Sequence, residues 1–337
     1  MKDSDMAGRS AQAEDDLVVR PARAEDREAV LAFCAQTWSD GDYIPYVWDA
    51  WLHDARGALL VAVLAGRPVG VVHMRMIADD EAWLEGIRVD PAVRQQGIGR
   101  VLTSRALAAA HERGASVARL FTAQTNIASK QMIAKFGFAR VAEMLRYEAP
   151  ALEELSGDAA GNPGEPDAPD APVREATEAV EQREDMLLGA RLMIAGEEDL
   201  ERIWEWLVHS NLRPFNGGLE FEDWSALALS ELSLRRALTT GQVYLLEEWQ
   251  TIQALALIEE VAAREDESGE LRVRYMDGAS EGIGRLALVL RDEAGQRGLA
   301  RVGMWLPNLL ILRDAMSGAG YGSDADEVME VYARELS

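Results

Sequence analysis

The run Arg94-Gln95-Gln96-Gly97-Ile98-Gly99-Arg100 has the residue types and spacing to hold an anion. Its two glycines let the backbone come close to a ligand and turn successive N–H groups outward. From Ile98 the apolar residues Ile98, Val101, Leu102, Ala106 and Ala109 recur on one helical face. Those N–H groups therefore stand at a helix N-terminus, where the dipole favours negative charge. A pyrophosphate is the natural guest, with Arg94 and Arg100 on either side. Two familiar phosphate cradles do not fit. A dinucleotide fold wants G-x-G-x-x-G, whereas these two glycines are followed by Arg100 and Val101. A P-loop wants Gly-Lys-Ser/Thr, which is absent.

The elements on either side position this loop. Trp83, Glu85, Ile87 and Val89 alternate with Leu84, Gly86 and Arg88, the period of a strand, and Asp90-Pro91 stops it. Alternation places Glu85 on the same strand face as Ile87 and Val89. Upstream, Leu17 to Arg20 reads as a strand, Ala24 to about Thr37 as a helix, and Leu59–Val63 with Pro68–Met76 as a hairpin that carries His73. The stretch from Ser39 to Leu52 is unusually aromatic, with Tyr43, Tyr46, Trp48 and Trp51. Downstream, Val117 to Thr122 reads as a strand, Asn126 to about Lys135 as a helix, and Ala139 to Tyr147 as a closing strand.

With 337 residues, 48% of them hydrophobic, the chain can bury two cores of ordinary size. Its net charge of −24 argues against nucleic acid or an anionic membrane as partner, since both need a basic surface. A single cysteine, Cys34, excludes an intramolecular disulfide and fits a reducing compartment; on its helical pattern it reads as core rather than nucleophile. No apolar run has membrane-spanning length, so the expectation is a soluble cytoplasmic protein, a monomer or homodimer, with no metal site.

Residues 151–188 differ in character. Four prolines fall between Pro163 and Pro172, and eleven acidic residues face two basic ones from Ala151 to Ala190, so the segment reads as a linker whose tail, Val173–Met186, could be a short helix. The pattern then repeats. Asp26 recurs as Asp199 after 173 residues, Gly97-Ile98-Gly99-Arg100 as Gly282-Ile283-Gly284-Arg285 after 185, and Asn126 as Asn308 after 182. A near-constant offset predicts two tandem domains, 1–150 and 189–337, each a twisted mixed α/β sheet flanked by helices. The second copy has a shorter loop, lacks the first arginine and places Glu281 where the phosphates would lie, which predicts weak or lost anion binding there.

The loop after a strand ending in Val89-Asp90-Pro91, together with Asn126 and Gly137-Phe138, resembles the acetyl-CoA-binding motifs of the GNAT acyltransferase superfamily, from about Val18 to Tyr147. The resemblance implies direct attack of a substrate amine on acetyl-CoA. The backbone of Ile87, Arg88 and Val89 and the loop Arg94, Gln95, Gln96, Gly97, Ile98, Gly99 and Arg100 would hold the co-substrate, and Asn126 would meet its pantetheine arm or cap a helix. A carboxylate would act as base; Glu85 is the candidate, with His73 as the alternative. Many members place a tyrosine seven residues after the motif asparagine as acid, but here that residue is Ile133. Tyr43, in the aromatic stretch where this family builds its acceptor wall, is the possible substitute. LEGI-V, Leu84 to Val89, also occurs in members acting on small amines, so the implied acceptor is an amino acid, a polyamine or an aminoglycoside-like amine. The alternative reading is an acyl-CoA-binding module without chemistry.

Overall fold

The computed structural model describes residues 17–35, 41–152, 189–263, 268–324 and 327–337. The expected linker, apart from its first two residues, and its helical tail lie outside these. The chain forms two compact units, Met1–Arg140 with Val331–Ser337, and Val141–Glu330. The units do not follow the boundary at residue 150: most of the closing strand of the first repeat is counted with the second unit, and the last seven residues with the first.

In the first unit the strands are β1 (Leu17–Pro21), β2 (Gly57–Leu64), β3 (Arg67–Met76), β4 (Glu81–Val89) and β5 (Val117–Ala123). They lie in that order, and the C-terminal strand Met329–Glu335 continues past β5. Neighbours from β1 to β4 are antiparallel, while β4 and β5 run parallel. The helices are α1 (Arg27–Cys34), α2 (Ile44–Leu52), α3 (Ile98–Glu112) and α4 (Ile127–Ala134). Both faces of the sheet are covered, so β2 and β3 are apolar at nearly every position. Leu59, Val61 and Val71 turn toward α1 and α2, beside Phe33, Cys34, Trp48 and Trp51. Leu60, Val72, Met74 and Leu84 turn toward α3, beside Ile98, Leu102 and Ala106. A two-residue periodicity thus feeds two cores at once.

The aromatic stretch is half helix. Pro45 in its first turn suits a helix start, Trp48 and Trp51 are buried, and Tyr46 stays 90% exposed. The first helix ends at Cys34, and the expected continuation to Thr37 lies outside the described residues.

The second unit holds β6 (Ala139–Pro150), β7 (Arg191–Ile194), the small hairpin β8 (Leu219–Glu222) and β9 (Ser225–Ala228), β10 (Val243–Glu248), β11 (Thr251–Val261), β12 (Glu270–Gly278) and β13 (Arg301–Pro307). Its sheet order is β6-β13-β12-β11-β10-β7, with β12 and β13 parallel. Helices α5 (Leu200–Val208) and α7 (Glu231–Thr239) cover one face; α8 (Ser280–Gln296) and α9 (Leu310–Gly318) cover the other; α6 (Arg213–Asn216) is a single turn. No helix of the described residues is long and apolar enough to cross a membrane.

Candidate functional site

β4 changes partner geometry halfway. It pairs with β5 from Glu81↔Val117 to Leu84↔Leu120, and no pair follows. Beyond Leu84 the backbone of Glu85–Val89 is an edge facing the gap between two diverging parallel strands. The β3 register slips at the same place, because Val71 opposes Arg88 while His73 opposes Glu85. Gly86, at φ +65°, supplies the extra residue of this bulge.

The bulge corrects the strand-face reading. Ile87 and Val89 pack toward the α3 side of the sheet. Glu85 lies opposite His73 and Arg88 opposite Val71, which puts the glutamate and the arginine together on the α1–α2 side. Simple alternation fails because one inserted residue inverts every side chain after it.

The loop after β4 forms as the sequence suggests. Asp90 accepts a hydrogen bond from the Ala92 N–H at 2.9 Å and is held by Arg67 at 2.6 Å, which ties the strand end to the loop start. Gln95 and Gly97 both take left-handed conformations, φ +66° and +82°, and Gly97 is the N-cap of α3. A non-glycine residue at positive φ is uncommon, so Gln95 marks stored strain. Residues 94–97 and Arg100 are exposed, and no backbone acceptor among the described residues meets the N–H groups from Arg94 to Arg100. Unpaired N–H groups in an αL turn at the start of a fifteen-residue helix are donors of the kind that suits an anion. The two glycines differ in purpose. Space beside Gly97 is open and only its φ demands glycine, whereas a Cβ on Gly99 would come 3.2 Å from Met132 Sδ on α4. Arg94 leans its Nε toward the Val89 carbonyl at 3.4 Å.

On the α1–α2 side several polar groups converge. Glu85 is one-fifth exposed, and its Oε1 meets His73 Nδ1 at 2.9 Å and Arg75 Nε at 3.5 Å. His73 is wholly buried, with Nε2 at 3.4 Å from Asp54 Oδ2. The Trp51 indole stacks on the imidazole at 4.6 Å. Arg88 donates from Nε to Asp42 at 2.6 Å, and this guanidinium lies 5.5 Å from the centre of the Tyr43 ring. The Tyr43 hydroxyl takes a hydrogen bond from the Gly86 N–H. Burial raises its pKa well above the usual value, Glu85 and Asp42 add to this, and Arg88 only partly opposes it, so the phenol keeps its proton at neutral pH. Tyr43 as a whole residue is 44% exposed.

Asn126 caps α4, its Oδ1 accepting the Ser129 N–H at 3.1 Å. Ile133 is 1% exposed in the core against α3, so no proton donor stands at that position. The sequence reading missed Asp54, Asp42 and Arg75. The alternation of β3 with β4 would have flagged Arg75 beside Glu85, but a turn residue such as Asp54 carries no periodic signal.

In the second unit the GIGR run is packed rather than open. Helix α8 starts at Ser280, directly after β12, and a Cβ on Gly282 would lie 2.7 Å from the Gln253 carbonyl. A Cβ on Gly284 would lie 3.2 Å from the Ala315 carbonyl. Glu281, its side chain 78% exposed, pairs with Arg285 at 3.5 Å.

Residues 25–138 match the model of the acetyltransferase (GNAT) family. No curated protein matches the chain. Among solved structures, a GCN5-related N-acetyltransferase from Sphaerobacter thermophilus aligns with a TM-score of 0.54 at 13% identity, over 95% of this chain and 96% of that one. A candidate acetyltransferase from Thermoplasma acidophilum aligns with a TM-score of 0.51 at 14% identity, over 95% and 100%. At such identities these likenesses speak for the fold. The matched stretch, residues 25–138, contains the bulged strand, the N–H-lined loop and helices α1 to α4.

Proposed function

We propose that this chain is an acetyl-CoA-dependent N-acetyltransferase that acts on the amine of a small molecule, with Glu85 as general base. The observation that carries the reading is the placement of a partly exposed carboxylate at the bulge of β4, where the strand parts from β5 next to the open N–H groups of the 94–99 loop. The cradle fits a pyrophosphate: it has unpaired N–H groups, a helix dipole and two exposed arginines. When bound, acetyl-CoA supplies the acetyl group as a thioester.

In this reading the loop residues Arg94 to Arg100 hold the phosphates, the edge of Ile87–Val89 and Asn126 line the arm, and the two sides of the gap fix the geometry of attack. Glu85 takes the proton that the amine loses on forming the amide bond. Tyr43, its hydroxyl still protonated and hydrogen-bonded at the bulge, gives a proton to the departing thiolate, the task for which Ile133 is unsuited. The chain is then a tandem of two related domains, and only the first binds co-substrate.

The test is release of free thiol from acetyl-CoA in the presence of amino acids, polyamines and aminoglycosides. Acceptor-dependent release that falls at least about a hundredfold in Glu85→Gln, in line with the usual weight of general-base catalysis, supports the reading. No release with any amine would favour the second reading, a binding module without chemistry. The buried Ile133 favours that module.

A further inference from the structure

We propose that His73 is the positioning residue for Glu85, a buried imidazole that is itself oriented by Asp54 and fixes which oxygen of the carboxylate meets the substrate. The inference rests on the reading of Glu85 as base. His73 faces Glu85 directly in the β3–β4 register, on a strand whose neighbouring buried positions are Val71, Val72 and Met74. An imidazole at 0% exposure among such residues is costly unless it is bonded. Its Nδ1 must donate to Glu85 Oε1, because a carboxylate only accepts. Its Nε2 faces Asp54 at 3.4 Å without a formed hydrogen bond, so the second carboxylate acts on the ring through its charge.

The surroundings keep room for this row of three. A Cβ on Gly57 would lie 2.3 Å from Asp54 Oδ2 and 2.8 Å from His73 Nε2. Gly86 leaves the space that Trp51 needs to stack flat on the imidazole, since a Cβ there would lie 2.4 Å from the indole. Both described contacts of Glu85, from His73 and Arg75, fall on Oε1. Oε2 is left for the incoming amine: the N–H bond of the nucleophile breaks, its proton passes to Oε2, and His73 keeps its own. Among the described residues, the charged and titratable groups around the pair are Asp54 from the turn after α2, Arg75 from β3, Arg88 from β4, and Asp42 and Tyr43 before α2.

The experiment compares His73→Asn, His73→Gln, His73→Leu and Asp54→Asn with the full-length parent. The asparagine amide nitrogen overlays Nδ1 and the glutamine one overlays Nε2. His73→Asn should therefore keep most of the activity. His73→Gln and His73→Leu should lose on the order of 10- to 100-fold in kcat, the weight of a hydrogen bond to a charged group. Acetyl-CoA affinity by calorimetry should change by no more than about twofold, because the loop is untouched. The acidic limb of the pH profile should move up in the glutamine and leucine variants, since a donor to the ionised carboxylate is gone. Independently of turnover, one of the four histidine ring N–H signals of the ligand-free protein should be protected from exchange and should shift in Glu85→Gln. Asp54→Asn should shift that same signal. Equal losses in all His73 variants, with an unmoved pH limb, or a ring signal indifferent to Glu85→Gln, would overturn the inference. Full turnover in Glu85→Gln would instead overturn the base reading itself.

Discussion

Substituting alanine at Gly86 tests the bulge most directly. The residue sits at φ +65°, where a Cβ costs about 1–2 kcal/mol. The added methyl would also start 2.4 Å and 2.6 Å from two carbons of the Trp51 ring, well inside contact distance. That ring is 8% exposed and pinned on His73, so it has little freedom to move away, and overpacking of this kind costs about 1–3 kcal/mol. Together Gly86→Ala should destabilise the first unit by about 2–5 kcal/mol. Cys34, the chain's single cysteine, lies in the same cluster as Trp51, so pulse labelling of its thiol in urea reads the opening of this unit alone. A double-mutant cycle with Trp51→Phe separates the terms, because phenylalanine lacks the carbons that clash. The pair should be about 1–2 kcal/mol less destabilised than the sum of the singles. Strict additivity would mean that the clash is relieved by backbone movement and that Trp51 does not fix the bulge.

Gly97→Glu should abolish acetyl-CoA binding by calorimetry while Glu281→Gln leaves it unchanged, with about one site per chain; a stoichiometry near two would show that the second unit also binds. Asp26, paired with Arg20 at 2.6 Å, has its pKa lowered, chiefly by that hydrogen bond. A depressed carboxylate stabilises the fold above its unfolded value of about 3.9, and this is lost as pH falls through the folded value, so parent and Asp26→Asn should differ in urea midpoint at pH 6 and converge in strong acid. A constant difference down to the lowest pH would refute the pairing. Burial first and Asp42 next push the Cys34 thiol up to about 12, against Arg88. It should therefore resist a thiol reagent at pH 8 until the protein unfolds, and rapid native labelling would contradict its place in the core.

The periodic parts of this chain were legible because burial imposes a period. The 57–64 and 67–76 hairpin, β4 and α3 were each readable from apolar spacing, and the left-handed loop from its glycines. What alternation could not show is where it stops. Whether Glu85 shares a face with Ile87 and Val89 depends on one inserted residue at Gly86, and a glycine in a strand signals a bulge only after the neighbouring register is known. Within the aromatic stretch the tryptophans read as core and Tyr43 as the open residue; Trp48 and Trp51 are indeed buried on a short helix, while Tyr43 and Tyr46 stay exposed. Asp54 and Asp42 escaped because a carboxylate in a turn looks like any solvated charge until the fold brings a partner to it.

The last seven residues, Val331–Ser337, count with the first unit. On a ribosome, that segment emerges long after β5, roughly ten to forty seconds later at ordinary rates of synthesis. Until then β5 has an open edge, with Leu336 not yet present to donate its N–H to the Ser116 carbonyl. A gene fragment cut after residue 140 or 150 would encode the 94–100 loop and Glu85 and still lack a strand of their sheet. Such a fragment should be expressed together with the C-terminal segment rather than alone, and a stop codon just before Met329 should damage the first half of the chain more than its distance in sequence suggests.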